Sequence, residues 1–227
     1  MIHTSNIALL QKTFDFWDKL SSNERENLLE HTSCVSYEQS ETVYDATRNC
    51  LGVLIVKSGE LRTFILSEAG KEVTLYRLTK GEVCILSASC MLNQITFDVY
   101  IEAEKPSEIL LVDSSYFSDL VERNIYAENY SLKVAVDKFS EVMWTMEQIL
   151  FMNFDQRLAV FLLDEAAKTG SETLALTHEQ IAKYVGSARE VVSRMMKYFE
   201  KEGFVSLCRG KVIILNKSGL KKLLDQF

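Results

Sequence analysis

The sequence predicts an α+β chain in three parts: N-terminal helices and an antiparallel β-roll of jelly-roll type over residues 1–123, a long helix over 124–153, and a winged helix-turn-helix over 154–227. Three observations lead there. Short β-rich runs alternate with turn glycines between Val43 and Val112. A stretch with neither Gly nor Pro follows, from Ile125 to Met152. Beyond it, two helix-start signals stand ten residues apart, with Gly186 between them, ahead of two more β-rich runs.

The N-terminal stretch Met1 to Leu20 interrupts its apolar positions with polar ones at helical spacing, unlike a secretory leader. No run of 18 apolar residues occurs, so no membrane span is expected. The roll is read from Gly52–Val56, Glu60–Leu66, Glu72–Leu78, Phe97–Ile101 and Glu108–Val112, with Gly59, Gly70 and Gly81 between the earlier runs. Strands at this spacing, with turn signals between them, indicate an antiparallel barrel or jelly roll.

In the long helix, Leu132, Val136, Phe139, Met143, Met146 and Leu150 recur with gaps of 4, 3, 4, 3 and 4, while Lys133, Asp137, Lys138, Glu141 and Glu147 lie off that line. This is a heptad seam. A helix of about 28 residues runs about 40 Å. The stripe could bury itself against its own roll or pair with a second copy. Its length and regularity fit a two-stranded dimer seam better.

The third region opens with a helix from Phe154 that stops near Gly170. Thr177 with Gln180, and Ser187 with Glu190, fit the capping-box pattern, and Gly186 supplies the turn between the helices they start. Val205–Leu207 and Val212–Leu215 flank Arg209-Gly210 as a hairpin, followed by a short helix from Ser218 to Leu224. On a wheel at about 100° per residue, Arg189, Ser193, Lys197, Glu190, Lys201 and Arg194 occupy one half of the second helix. Tyr198, Val191, Met195, Phe199, Val192 and Met196 occupy the other half. The apolar half suits burial. The polar half carries the residue types that read base edges, Arg for guanine O6/N7 and Glu for the cytosine amino group.

Charge divides the same way. The net charge is −7, but residues 1–153 hold 13 basic and 23 acidic side chains, whereas 154–227 hold 12 and 9, and Lys183 to Lys222 holds 10 and 3. A basic stripe in an acidic chain points to an anionic partner for that stripe. Five cysteines, an odd number with no C-x-x-C pair, fit reduced thiols in a cytosolic compartment and exclude a disulfide scaffold.

These features together resemble the Crp/Fnr superfamily of bacterial transcription regulators over nearly the whole chain, with a cyclic-nucleotide-binding-like roll, a dimerisation helix and a winged helix-turn-helix. The most specific match is Gly186-Ser-Ala-Arg-Glu-Val-Val-Ser-Arg194, which is similar to the family's recognition-helix signature. Arg189, Glu190 and Arg194 match the catabolite-activator type; Glu190, Ser193 and Arg194 match the Fnr type. The resemblance implies that Glu190 and Arg194 read a G·C pair, with Arg189 or Ser193 tuning the neighbouring base. It also implies phosphate contacts from Thr177, His178, Lys197, Arg209 and Lys211.

Members of the family that bind cyclic AMP carry a Gly-Glu-Leu start and an Arg-Ser/Thr pair that holds the phosphate. Here the start is similar at Gly81-Glu82-Val83, followed by Cys84, and Phe97-Asp98 stand where the pair would align. Without the guanidinium fork, cyclic AMP is not expected as effector. Glu82, Cys84, Cys90 and Phe97 remain candidate pocket residues for an unidentified input. Cys84 and Cys90 could be buried thiols or a thiol switch. The spacing of Cys34, Cys50, Cys84 and Cys90 matches no iron–sulfur ligand run, and His3, His31 and His178 offer no haem site in the roll.

No His lies between Thr32 and Thr177, so a cupin-type metalloenzyme and a Ser-His or Cys-His catalyst in the roll lack their histidine. No catalytic residue, metal or cofactor is expected. The rival to a DNA-binding regulator is a signalling adaptor with a ligand-binding roll and a protein-binding helical tail. The favoured expectation is a cytoplasmic homodimer on an inverted-repeat site in double-stranded DNA, meeting RNA polymerase if it activates, with no membrane partner.

Overall fold

The structure is a computed structural model, and it describes residues 4–45, 51–68, 70–85 and 98–224. It forms two compact units, Met1–Leu66 with Leu75–Val142, and Ser67–Thr74 with Met143–Phe227.

In the first unit, helix α1 spans Thr4–Thr13 and α2 spans Ser22–Glu30. A capping box starts α2: Ser21 Oγ accepts from the Glu24 N–H at 3.3 Å and the Glu24 carboxylate accepts from the Ser21 N–H at 2.7 Å. Two four-stranded sheets follow. The first has the order β1 (Thr32–Tyr37), β8 (Ser107–Asp113), β3 (Gly52–Ser58), β6 (Val83–Cys84). The second has the order β2 (Thr42–Tyr44), β7 (Tyr100–Ala103), β4 (Glu60–Leu66), β5 (Glu72–Thr79). The pairs with a defined register are antiparallel, as at Ile55↔Leu110 and Thr63↔Ile101.

Period-two alternation explains why β3 is apolar from Gly52 to Val56. Leu54 and Val56 join Leu61, Tyr76, Leu78, Cys84, Ile101 and Ile109 in the cluster between the sheets. Val53 and Ile55 point the other way, to a second cluster with Phe14, Phe16, Leu28 and, from α3 (Ser114–Arg123), Phe117. A strand buried on both faces reads as an unbroken apolar run, which is what Gly52–Val56 shows.

Helix α4 spans Ile125–Phe151. Ala127, Tyr130 and Lys138 are buried on one side of it, whereas Leu132, Val136, Phe139, Met143, Met146 and Leu150 are 38% to 64% exposed. One side of the helix is therefore buried, while the apolar seam on the other side is left exposed.

In the second unit, α5 spans Phe154–Thr169 and ends at Gly170 in the left-handed region. A three-stranded sheet has the order β10 (Val205–Cys208), β11 (Lys211–Ile214), β9 (Thr173–Leu174). Helices α6 (His178–Val185), α7 (Arg189–Lys201) and α8 (Lys217–Lys222) complete it around Leu158, Leu162, Ile181, Val192, Met196, Phe199, Val212 and Leu220.

Several local expectations shift. Strands β1, β2, β6 and β9 are additional, and the last helix starts one residue earlier than read. The strand expected over Phe97–Ile101 is β7 at Tyr100–Ala103, with Phe97 itself outside the described residues. The second capping box does not form. The N-cap of α7 is Ala188, without a side-chain cap, because the Ser187 N–H is used to close α6 on the Ala182 carbonyl at 3.0 Å.

Candidate nucleic-acid interface

The interface is built by two turns. Thr177 caps α6, its hydroxyl accepting from the Gln180 N–H at 3.2 Å while the Gln180 side chain accepts from the Thr177 N–H at 2.9 Å. Helix α6 stops at Gly186, whose φ of 63° is open to Gly at no steric cost. Only Ser187 and Ala188 separate Gly186 from the start of α7 at Arg189, so the turn between the helices is short and its direction is set by backbone rather than by side chains.

Helix α7 divides as its pattern requires. Val192, Met196 and Phe199 are buried, and Val191 and Met195 partly so. Arg189, Glu190, Arg194, Lys197 and Lys201 are exposed, and Ser193 is half-buried among them. Tyr198 departs from the expectation for the apolar half, at 45% exposed. The wing is the β10–β11 hairpin, in which Cys208 pairs with Lys211 across Arg209-Gly210, with Gly210 at φ 70°.

A cleft of about 340 Å³ joins these pieces, lined by Leu176, Thr177, His178 and Glu179, by Arg189, and by Cys208, Gly210 and Lys211 of the wing. Four of the residues singled out by sequence thus meet at one place: Thr177, His178, Arg189 and Lys211. Glu190, Ser193, Arg194 and Lys197 lie along α7, and Arg209 is exposed at the tip of the wing. Glu179 and Cys208 were not singled out. Cys208 could have been found from the hairpin register, which sets it opposite Lys211.

The electrostatics of the cleft are cationic. Partial burial, then the charges of Arg189 and Lys197, hold the His178 imidazole below its ordinary range, since each disfavours a further positive charge. Among the described residues, Arg189, Arg194, Lys197, Lys201, Arg209 and Lys211 make no ion pair; in this unit Lys217 pairs with Glu172 at 3.4 Å.

Of the candidate pocket residues of the roll, the two that are described, Glu82 and Cys84, do not share one site. Glu82 caps a turn, accepting from the Thr79 N–H at 2.6 Å and hydroxyl at 2.7 Å, and lies 3.9 Å from Lys138 Nζ. It lines a cleft of about 520 Å³ with α1 and α4 residues including Leu9, Tyr130 and Asp137. Cys84 faces inward, fully buried, with its sulfur 3.7 Å from the Tyr76 hydroxyl. Cys90, Phe97 and Cys50 lie outside the described residues, while Cys34 is exposed on β1. Among the described residues no group of three His, Cys, Asp or Glu could hold a metal ion, and no helix is long and apolar enough to cross a membrane.

Comparison with known proteins agrees with this geometry. Residues 156–223 match the profile of the Crp-like helix-turn-helix domain and residues 34–124 that of the cyclic nucleotide-binding domain. The crystal structure of a Crp/Fnr-family transcriptional regulator from Eubacterium rectale is 38% identical, with a TM-score of 0.89, covering 95% of this chain and all of that one. The anaerobic regulatory protein of Haemophilus influenzae is 22% identical over 95% of this chain and 84% of its own length. The transcriptional regulatory protein btr of Bordetella pertussis is 26% identical over 85% and 81%. With its roll, its exposed cationic recognition helix and a relative this similar end to end, the chain belongs to the Crp/Fnr family of DNA-binding transcription regulators.

Proposed function

We propose that the protein acts as a cytoplasmic homodimer, paired along Leu132, Val136, Phe139, Met143, Met146 and Leu150, on an inverted-repeat operator. The observation that carries this reading is six exposed cations that make no ion pair among the described residues, four on the outer side of α7, whose other side is core, and two on the wing. Unpaired Lys and Arg gain by displacing phosphate counterions. An exposed apolar seam of six residues on α4 supplies what a second copy would cover.

In this reading each copy places α7 in a major groove, the two grooves lying about 34 Å apart. Glu190 and Arg194 read a G·C pair, and Arg189 with Ser193 sets the neighbouring base. Thr177, His178, Lys197, Arg209 and Lys211 hold phosphates and set the register without reading sequence. The roll takes an unidentified input other than cyclic AMP, with no resident cofactor, and activation would add a contact with RNA polymerase. An input works only if it binds the two states of the dimer unequally. No residue is assigned to catalysis.

Selection of bound sites from a random duplex library tests this. The expected product is an inverted repeat with half-site centres about one helical turn, or 10 base pairs, apart. Enrichment of a single half-site would remove the dimer, and no enrichment with or without mild oxidant would remove the operator reading.

A further inference from the structure

His178 stands where two demands conflict. It begins α6, so the N–H groups of His178 and Glu179 have no acceptor within their own helix and the positive end of the helix lies beside the ring. Arg189 and Lys197 approach from α7, and Lys211 and Cys208 face the same cleft from the wing. Glu179, exposed at its side, is the one carboxylate lining the cleft among the described residues. Before any anion arrives, partial burial and then its cationic neighbours hold the ring below its ordinary range. A cleft of about 340 Å³ with this charge suits one phosphate group.

We propose that this cleft seats a backbone phosphate of the operator and that closing on it loads a proton onto His178, so that DNA affinity in this protein is linked to pH. The inference rests on the DNA-binding reading above. The balance is simple. A proton from solvent adds to the ring nitrogen that carries a lone pair, the ring goes from neutral to cationic, and no bond in the protein or the DNA breaks. The phosphodiester keeps its single negative charge throughout.

The sign follows from the two states. In the free protein His178 lies below its usual range, so it is neutral at pH 7. A seated phosphate favours the imidazolium, and an opposite charge within about 4–6 Å moves such a group by about 1–3 pH units. Affinity therefore rises as pH falls through the bound-state value, and levels off once the free ring is itself protonated. One unit of displacement is about tenfold in affinity.

The experiment measures affinity for the selected operator at fixed salt, between about pH 7.5 and about pH 5.5, below the range of free thiols. Wild type is compared with His178→Gln and His178→Lys. Wild type is expected to tighten about tenfold across the range, His178→Gln to be weak and nearly flat, and His178→Lys to be flat and tight throughout. Calorimetry in two buffers of different ionisation enthalpy should show proton uptake at pH 7 for wild type and none for either variant. Equal pH slopes in all three proteins, with DNA bound, would overturn the proton linkage while leaving the DNA reading intact. Failure of wild type to bind any duplex at any pH would overturn both. A His178→Gln variant that does not fold leaves His178→Lys and wild-type calorimetry to decide.

Discussion

The β-roll and the helix-turn-helix unit use the same kinds of charged residue in opposite ways. In the roll, the buried and half-buried cations Lys57, Arg62 and Arg77 are paired. Arg62, fully buried, lies 2.9 Å from Glu104 and its guanidinium stands 4.0 Å over the Phe64 ring; Arg77 meets Glu60 at 3.2 Å and Lys57 meets Glu108 at 3.2 Å. On α7 and the wing, Arg189, Arg194, Lys197, Lys201, Arg209 and Lys211 are exposed and form no ion pair among the described residues. A charge taken out of water needs a partner in the fold, whereas a charge left in water is available to a partner from outside. Charge counted by region therefore says less than charge counted by whether it is already paired.

The sharpest way to break that contrast is Arg62→Ala. It should destabilise the first unit by about 3–5 kcal/mol, because Glu104 and Glu102 would stay buried or half-buried without their cation. Urea unfolding followed through the buried Trp17 reads it, with Trp144 changed to Phe. A loss below about 0.5 kcal/mol would mean that the roll does not depend on this pairing.

On the other side of the comparison, Arg194→Ala should leave unfolding within about 0.5 kcal/mol while costing about 1–3 kcal/mol on the selected operator and relaxing its G·C preference. Equal losses on operator and random duplex would move Arg194 from base reading to phosphate contact. The smallest effect is expected from Lys211→Ala: a uniform weakening on every duplex, with the slope of log affinity against log salt reduced by about 1. A sequence-dependent loss would place Lys211 against bases instead.

Much of this was legible in the chain itself. The strands Gly52–Ser58 and Glu60–Leu66, the long helix and the polar and apolar halves of α7 follow from hydrophobic period, which burial on one or both faces imposes directly. The second capping box misled for a local reason. Ser187 and Glu190 have the right spacing, but the Ser187 N–H already serves α6, and a backbone group can close only one helix end. Strand β9, two residues long, carries no period to read.

For the sensor side, the resemblance to the family's cyclic-AMP-binding stretch placed Glu82 and Cys84 in one candidate pocket. The fold separates them: in a strand the direction of a side chain is set by pleat and turn, and here Glu82 closes a turn with Thr79 while Cys84 enters the core beside Tyr76. The reverse holds at the DNA face. His178, Arg189 and Lys211 are distant in sequence and come together only because α6, α7 and the wing pack on one core. What the sequence by itself determined is the set of elements and which face of each is apolar, since these depend on neighbours within a turn or two. Which charges remain unpaired, and which of them share a cleft, was decided by tertiary structure, because pairing depends on distances that only packing creates.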